Sequence, residues 1–264
     1  MYNFNYHRPS SLADAAKTVQ SAPEGKLVAG GMTLIPTLKQ RLAKPSDLVD
    51  LAKIAELKGI KKDGNTVVIG AMTKHVEVAT SDVVKGAIPG LADLAGHIGD
   101  PAVRNRGTIG GSIANNDPAA DYPSAVVALN ATVITNKRKI AADDFFKGLY
   151  ETALTGDEII TAVSFPAPKK AAYVKFPQPA SRFALVGVFV AQTGKGIRVA
   201  VTGAASHAHR AKAIEDALAK NFTADAAKAV KIPPGHLNSD LHGSAEYRAH
   251  LVSVLASRAV AAMA

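Results

Sequence analysis

The sequence predicts an α+β protein that contains more than one structural unit. Residues 1–53 alternate between helical and strand patterns, residues 54–170 open on a strand hairpin, and residues 171–264 hold consecutive strands followed by helices. Strands that precede helices are typical of α+β domains. A chain of 264 residues is long enough for two or three small domains. We therefore predict three units, with the bounds 1–53, 54–170 and 171–264.

The elements of the first unit follow from its capping and breaking residues. Ser10 and Ser11 precede LADAAKTVQ, whose apolar residues recur at helical spacing. A short strand over 26–29 is broken by two glycines, and Thr33 caps a helix that runs through LIPTLKQRLA to near Pro45. A second strand is expected over 48–51.

The second unit starts with strands over 57–61 and 66–70 around an Asp-Gly-Asn turn. Helices are expected over 73–79, 91–98 and 123–129, and strands over 132–140 and 158–165. Between the last two helices, residues 99–124 are rich in Gly, Asn, Asp and Pro. We expect this segment to be a functional loop, because long structureless connections are uncommon otherwise.

The third unit follows a Pro- and Lys-rich linker over 166–170. Strands over 172–176, 185–192 and 197–203 predict an antiparallel meander. Helices are expected over 211–220 and 245–262, with an irregular loop over 232–243.

Composition excludes several classes of protein. Hydrophobic residues make up 47% and charged residues 20% of the chain, as in ordinary soluble proteins. The absence of cysteine excludes disulfides and cysteine-ligated metal or iron–sulfur sites in this chain. The net charge of +9 is scattered, and the short basic clusters at 58–62 and 137–139 lack the interleaved aromatic residues of a nucleic-acid platform. No apolar run approaches ~20 residues, so we expect no membrane span and a cytoplasmic protein.

Two glycine-rich segments are candidates for ligand binding. The first covers residues 29–34 (AGGMTL) and the second covers residues 107–112 (GTIGGS). Glycine lets a ligand approach the backbone closely, and amides at a helix start attract phosphate. Together they predict a grip on the two halves of a pyrophosphate, with two ordinary tight turns as the alternative. Neither is a Rossmann or P-loop fingerprint.

Polar residues around the second segment have two interpretations each. Asp117 and Asp121 either bind sugar-like hydroxyls or, for Asp117 in particular, cap the next helix. Arg104 and Arg106 either neutralise a phosphate or form ion pairs.

The positions of the histidine and serine residues predict neither a metal site nor a catalytic residue in this chain. His207 and His209 form a His-x-His pair without a third ligand nearby, which favours a polar turn. His75 and His97 lie alone on helical segments, where structural roles are expected. No GxSxG sequence supports a hydrolase.

Motifs along essentially the whole chain resemble the FAD-binding medium subunits of molybdenum hydroxylases. Residues 29–51 (AGGMTLIPTLKQRLAKPSDLVDL) resemble the first flavin motif of that family, and residues 99–124 (GDPAVRNRGTIGGSIANNDPAADYPS) resemble the second. Shorter matches lie at 144–148, 183–188 and 244–248. The resemblance is to the carbon monoxide dehydrogenase medium chain and to xanthine dehydrogenase family FAD-binding subunits.

This resemblance implies a fold and a function. The first two units are expected to form the two-subdomain FAD-binding fold of the vanillyl-alcohol-oxidase (PCMH) type. The third is expected to be a smaller α+β domain of the CO dehydrogenase flavoprotein type. FAD is the implied cofactor, and electrons pass through it from [2Fe-2S] clusters to an external acceptor. Molybdopterin and two [2Fe-2S] clusters are expected in a large and a small partner subunit, in a dimer of heterotrimers.

The same resemblance implies residue roles, position by position. The first motif is expected to hold the FAD diphosphate through backbone amides, and the residues that match the second flavin motif are expected to bind the cofactor as well. An acidic residue is expected to contact ribityl or ribose hydroxyls, a lysine to lie close to the flavin and an aromatic residue to cover its ring. The implied cofactor-binding residues are Ala29, Gly30, Gly31, Met32, Thr33, Leu34, Thr108, Ile109, Gly110, Gly111, Ser112, Asp121, Lys175 and Phe183. Met32 departs from the Gln or His usual at its position.

Two other functions stay open on the sequence. A self-sufficient flavin-dependent oxidoreductase would need an acid–base pair beside the flavin, and no convincing pair is present. A non-redox nucleotide-binding assembly module would keep the phosphate loops without a flavin.

Overall fold

A computed structural model describes residues 1–263 of the chain. Its first unit is a parallel sheet that contains β1 (Asn5–His7), β2 (Gly25–Val28) and β3 (Asp47–Asp50), in the order β1-β3-β2. Helix α1 (Leu12–Ser21) begins after Ser11, whose hydroxyl accepts a hydrogen bond from the Asp14 amide, and it packs its buried residues Ala15 and Val19 against this sheet. Helix α2 (Leu34–Lys39) follows β2 and ends before Pro45, earlier than predicted, because the backbone at Arg41 is left-handed.

The second unit is an antiparallel sheet with helices packed on it. Its strands are β4 (Ile60–Asp63), β5 (Thr66–Gly70), β6 (Thr132–Thr135), β7 (Lys139–Ala141) and β10 (Ile160–Pro166), in the order β4-β5-β10-β6-β7; β8 (Phe146–Gly148) pairs with β9 (Glu151–Thr152). The helices are α3 (His75–Thr80), α4 (Asp82–Ala87), α5 (Pro89–Gly96), α6 (Pro101–Arg104), α7 (Ile109–Asn115), α8 (Tyr122–Ala128) and α9 (Ala142–Phe145).

The third unit is a four-stranded antiparallel sheet. It contains β11 (Lys170–Pro177), β12 (Ala184–Thr193), β13 (Gly196–Thr202) and β14 (His209–Arg210), followed by α10 (Lys212–Lys220), α11 (Ala224–Lys228) and α12 (Ala245–Ala262). Side chains alternate between the two faces of a strand. In β12, Val186, Val188 and Val190 join the core under α10 and α12, whereas Phe189 and Ala191 join the core of the second unit. This two-sided burial explains the continuous apolar run of β12.

The α+β fold class is confirmed, and the structure corrects several elements. Residues 99–124, expected as a loop, contain α6 and α7. The first turn of α7 is held by hydrogen bonds to the Ala71 and Thr73 carbonyl oxygens rather than by helix propensity. Residues 132–140 form most of a hairpin of two strands instead of one strand. The sequence pattern also missed β1, α4, α11 and β14, which are two to six residues long. No helix within residues 1–263 combines the length and apolar character needed to cross a bilayer.

Candidate cofactor site

A cavity of about 540 Å³ lies between the loop after β2, the N-terminal part of α7 and the loop before β12. Residues from all three units line the cavity. They include twelve of the fourteen predicted cofactor-binding residues. The two that do not are Ile109, whose side chain is fully buried in the core, and Lys175, which lies behind the wall. Segments that are far apart in the chain therefore meet at one site.

The first glycine loop presents backbone donors that the protein does not use. Within residues 1–263, the N–H groups of residues 30–33 donate to no protein acceptor. The loop lies at the carboxyl end of a parallel strand, where α/β sheets commonly bind ligands. Unpaired N–H groups are costly when buried, so a run of them on a cavity wall is suited to an anion with several acceptor oxygens.

The two loops touch each other at Gly30. A Cβ atom on Gly30 would collide with the Arg106 carbonyl oxygen and would lie 2.8 Å from the Gly107 Cα atom. Gly31 has φ of 76°, a conformation that favours glycine. Both glycines are thus required by the geometry, one by close approach and one by backbone conformation.

The second glycine loop differs from the first, because its amides already have protein acceptors. Ile109 N donates to Thr73 O at 3.1 Å, and Gly110 N donates to Ala71 O at 2.8 Å. Gly111 N donates to the Thr108 hydroxyl at 3.1 Å. The pairing of these amides corrects the expectation that both loops offer the same kind of anion grip. The second loop supplies a close, rigid wall and the Ser112 side chain.

Asp121 joins the cavity to the third unit. Its Oδ1 accepts hydrogen bonds from Tyr173 Oη at 2.6 Å and Lys175 Nζ at 3.0 Å, which leaves Oδ2 as a free acceptor. Burial raises the pKa of the Asp121 carboxyl, and the adjacent Lys175 ammonium opposes that shift. Burial also raises the pKa of Tyr173 well above its ordinary value, so this hydroxyl remains a donor.

Lys175 acts on the cavity through its neighbours. Besides Asp121, its ammonium donates to His97 O and Arg182 O, both at 2.8 Å. Arg182 precedes Phe183, a half-exposed ring that lines the cavity. Lys175 therefore fixes the loop that carries Phe183 and does not itself face the cavity.

Further hydrogen bonds fasten the third unit to the segment before α8. Gly203 N donates to Pro118 O at 2.7 Å, and the Thr202 hydroxyl donates to Ala120 O at 2.6 Å. Gly203 has φ of 81°, and a Cβ there would lie 2.5 Å from the Ala184 carbonyl oxygen. The cavity wall over 117–121 is thereby held from the side of β13.

His75 was interpreted as structural, yet it lines the cavity. It starts α3, its amide donates to Gly107 O at 3.0 Å, and its ring packs on Tyr122 with centroids 5.3 Å apart. Burial, with a smaller effect of the Arg104 charge, lowers the pKa of His75 to about 4. Sequence reasoning missed this residue because a lone histidine at a helix start carries no signal for its neighbours in space.

The remaining polar candidates have mostly structural partners. Arg104 donates to the carbonyl oxygens of Ile98 and Gly99, and neither Arg104 nor Arg106 lines the cavity. Asp117 lines it and accepts from Ala119 N at 2.9 Å; it forms a turn rather than the cap of α8, which begins at Tyr122. Within residues 1–263, no three His, Asp or Glu side chains are grouped as metal ligands.

Comparisons with known proteins identify the family. The family described as "FAD binding domain in molybdopterin dehydrogenase" matches residues 2–168, and "CO dehydrogenase flavoprotein C-terminal domain" matches residues 171–263. The chain belongs to this FAD-binding family. The prediction of an FAD-binding electron-transfer subunit, within a multi-subunit oxidoreductase of the molybdenum hydroxylase type, is confirmed.

Relatives match over nearly their whole length. The carbon monoxide dehydrogenase medium chain of Hydrogenophaga pseudoflava is 37% identical, over 97% of this chain and 96% of the relative. The nicotine 6-hydroxylase medium subunit of Paenarthrobacter nicotinovorans is 35% identical, over 97% and 95%.

Solved structures share the fold. A structure of carbon monoxide dehydrogenase from Hydrogenophaga pseudoflava superimposes with a TM-score of 0.89 at 38% identity, covering 99% of this chain and 97% of that chain. Quinoline 2-oxidoreductase from Pseudomonas putida 86 gives a TM-score of 0.89 at 30% identity, with 99% and 96% covered.

The cavity fits the cofactor of this family. Free amides meet the need of a diphosphate, a free carboxylate oxygen on Asp121 suits a hydroxyl-bearing chain, and the half-exposed Phe183 ring offers a flat apolar face.

Proposed function

We propose that the cavity is the FAD site and that the loop over 29–34 binds the diphosphate. The run of unpaired amides over 30–33 is the observation that carries this proposal. Such amides hold an anion by fixed dipoles, which are already oriented before the ligand arrives. The side chain of Met32 contributes to the wall only, since the binding groups at this loop are backbone N–H groups.

The other residues of the proposed site have distinct roles. Asp121 accepts hydrogen bonds from cofactor hydroxyls through Oδ2, while Lys175 and Tyr173 hold its Oδ1 in place. Gly110 lets α7 pack against Ala71, since a Cβ there would lie 2.7 Å from the Ala71 carbonyl oxygen. Gly111 lies on the cavity wall, and Thr108 caps α7. Phe183 shields one face of the bound group from water.

Bound FAD supplies electron transfer in one- and two-electron steps. The chain's own contribution is to bind and orient it, and we assign no catalytic acid or base to this chain. Residues 1–53 and 54–170 are proposed as the two FAD-binding subdomains and residues 171–264 as the domain that carries the covering loop.

Reconstitution tests the site. The purified chain is mixed with FAD, excess is removed by gel filtration, and the visible spectrum is recorded with chromatography of the released cofactor. We expect one FAD per chain and no FMN, because the free amides suit a diphosphate. Retention of FMN in place of FAD, or of no flavin by chain and reconstituted complex alike, would refute the proposal.

We also propose the partners. A small subunit with two [2Fe-2S] clusters and a large molybdopterin subunit complete a cytoplasmic complex, which assembles as a dimer of heterotrimers. The absence of cysteine supports this division, because thiolate-held clusters need another chain. Co-purification from the native cell, followed by mass measurement of the complex, tests it. A complex that lacks either subunit would contradict this assignment.

A further inference from the structure

His75 stands out among the buried polar groups of the molecule. Four fully buried side-chain nitrogen or oxygen atoms lack a hydrogen-bond partner within residues 1–263, and they belong to His75, Asn116, Tyr122 and Arg248. Only His75 among these residues lines the large cavity. Buried polar groups in native proteins are nearly always paired, so an unpaired imidazole on a ligand cavity calls for a functional explanation.

The surroundings of the ring indicate which nitrogen carries the proton. Nδ1 is the fully buried atom without a partner, on a ring that packs against Tyr122. Nε2 lies against Gly107, itself part of the cavity wall. An orphaned buried N–H is rarer than an orphaned acceptor. The proton therefore belongs on Nε2, at the cavity.

The position of Gly107 places this donor close to the first glycine loop. Gly107 contacts His75 on one side and comes within reach of Gly30 on the other. A Cβ atom on residue 107 would collide with Nε2 and would lie 2.8 Å from the ring's Cδ2 atom. Glycine at 107 thus makes room for the imidazole at the seam between the two loops.

We propose that His75 is a cofactor-binding residue, whose Nε2–H donates a hydrogen bond to an acceptor oxygen of FAD beside Gly107. This inference rests on the proposed FAD site. The ring is neutral near pH 7, because burial and the Arg104 guanidinium both disfavour the imidazolium form. A neutral donor gives direction to the bound cofactor without adding charge to the cavity.

Three substitutions separate binding from folding. His75→Leu removes both nitrogens at similar volume, His75→Gln restores an amide nitrogen where Nε2 lies, and His75→Asn places one where Nδ1 lies. His209→Leu is the control, because His209 is a partly buried histidine whose pKa is also lowered by burial, but it lies outside the cavity. For each protein, FAD affinity is measured by flavin fluorescence titration, and thermal unfolding is measured on the FAD-free chain.

We expect His75→Leu and His75→Asn to weaken FAD binding about three- to tenfold, the effect of one lost hydrogen bond. His75→Gln should stay within about twofold of the unmodified protein. Unfolding of FAD-free His75→Leu should be unchanged or shifted upward, since an unpaired buried polar group is removed. His209→Leu should leave FAD affinity unchanged.

Two results would overturn the assignment. One is unchanged FAD affinity in His75→Leu. The other is a loss that His75→Gln does not repair and that accompanies a lower unfolding temperature of the FAD-free chain, which is the signature of a structural role. Failure of the unmodified chain to bind FAD would instead count against the proposed site itself.

Discussion

Replacing Gly30 by alanine tests the contact between the two glycine loops. The added Cβ would meet the Arg106 carbonyl oxygen, and it would lie 2.7 Å from the Arg106 carbonyl carbon and 2.8 Å from the Gly107 Cα atom. All three are backbone atoms, so no side-chain rotation relieves the clash. Overpacking of this kind destabilises by about 1–3 kcal/mol. The two loops must separate, and the cavity wall moves with them.

The expected effect on FAD affinity follows from that magnitude. A penalty of about 2 kcal/mol corresponds to roughly a 30-fold loss of affinity. Gly86→Ala is the matched control, because Gly86 lies in α4 with no neighbouring atom within 4 Å. It should leave FAD binding unchanged and stabilise the chain by up to about 1 kcal/mol.

Flavin fluorescence titration gives the affinity, and urea unfolding of the FAD-free chain gives the stability. Gly30→Ala should lower both, and Gly86→Ala should lower neither. If Gly30→Ala binds FAD as tightly as the unmodified chain does, then the close approach of the loops does not shape the site, and the reasoning fails.

Three further predictions concern buried ionisable groups. Asp121→Asn should destabilise the chain by about 3 kcal/mol in urea unfolding, since it leaves the buried Lys175 ammonium without its carboxylate. The double variant Asp121→Asn with Lys175→Met should recover part of this loss. If the losses of the two single variants simply add, the two side chains are not coupled. Burial lowers the pKa of His75 to about 4. The contribution of this group to the stability of the FAD-free chain is therefore fully present above pH 6.5 and is lost as the pH drops toward 4, and His75→Leu should abolish that loss. The hydrogen bond from Arg138 lowers the pKa of Glu158 to about 2. The ionised Glu158 carboxylate therefore stabilises the fold fully above pH 4.5, and this contribution is lost as the pH falls toward 2. An identical acid unfolding transition in Glu158→Gln would contradict this.

The first glycine loop was predictable from sequence because its structure is local. A short strand, two glycines and Thr33 lie within ten positions, and the strand–loop–helix order follows from their spacing. Thr33 occupies the N-cap position of α2, but its side chain makes no capping hydrogen bond, so that part of the prediction is wrong. The same locality predicted α1, β5 and the β12–β13 meander. Where an element depends on its own residues, capping and periodicity identify it.

The second glycine loop was not predictable in this way. Three of its six residues are glycine, a poor helix former, and the surrounding segment 99–124 was expected to be an irregular loop. Burial of Ile109 and Ile113 and the pairing of its amides with Ala71 and Thr73 carbonyls form α7 instead. Tertiary contacts override propensity here, and a single sequence does not display them.

Contacts between segments that are distant in the chain were equally unpredictable from the sequence. Lys175 was expected near the flavin only through resemblance, and its bond to Asp121 joins residues 54 positions apart. The side-chain pattern of β11 does not indicate which carboxylate its lysine meets. His75 was missed for the same reason, since the sequence does not show that its ring lies against Gly107 and lines the cavity.

The contrast between the two loops predicts that the chain can fold before it holds its cofactor. The second loop satisfies its amides internally, so α7 and the end of β5 form a rigid wall in the FAD-free chain. The first loop leaves the N–H groups of 30–33 unpaired, which is tolerable while water reaches them. Its glycines keep the backbone open to a diphosphate and hold it against that wall. The second loop is a rigid wall, and the first loop supplies the unpaired donors. The first loop therefore contributes most to binding, and a ligand without a diphosphate cannot accept its hydrogen bonds.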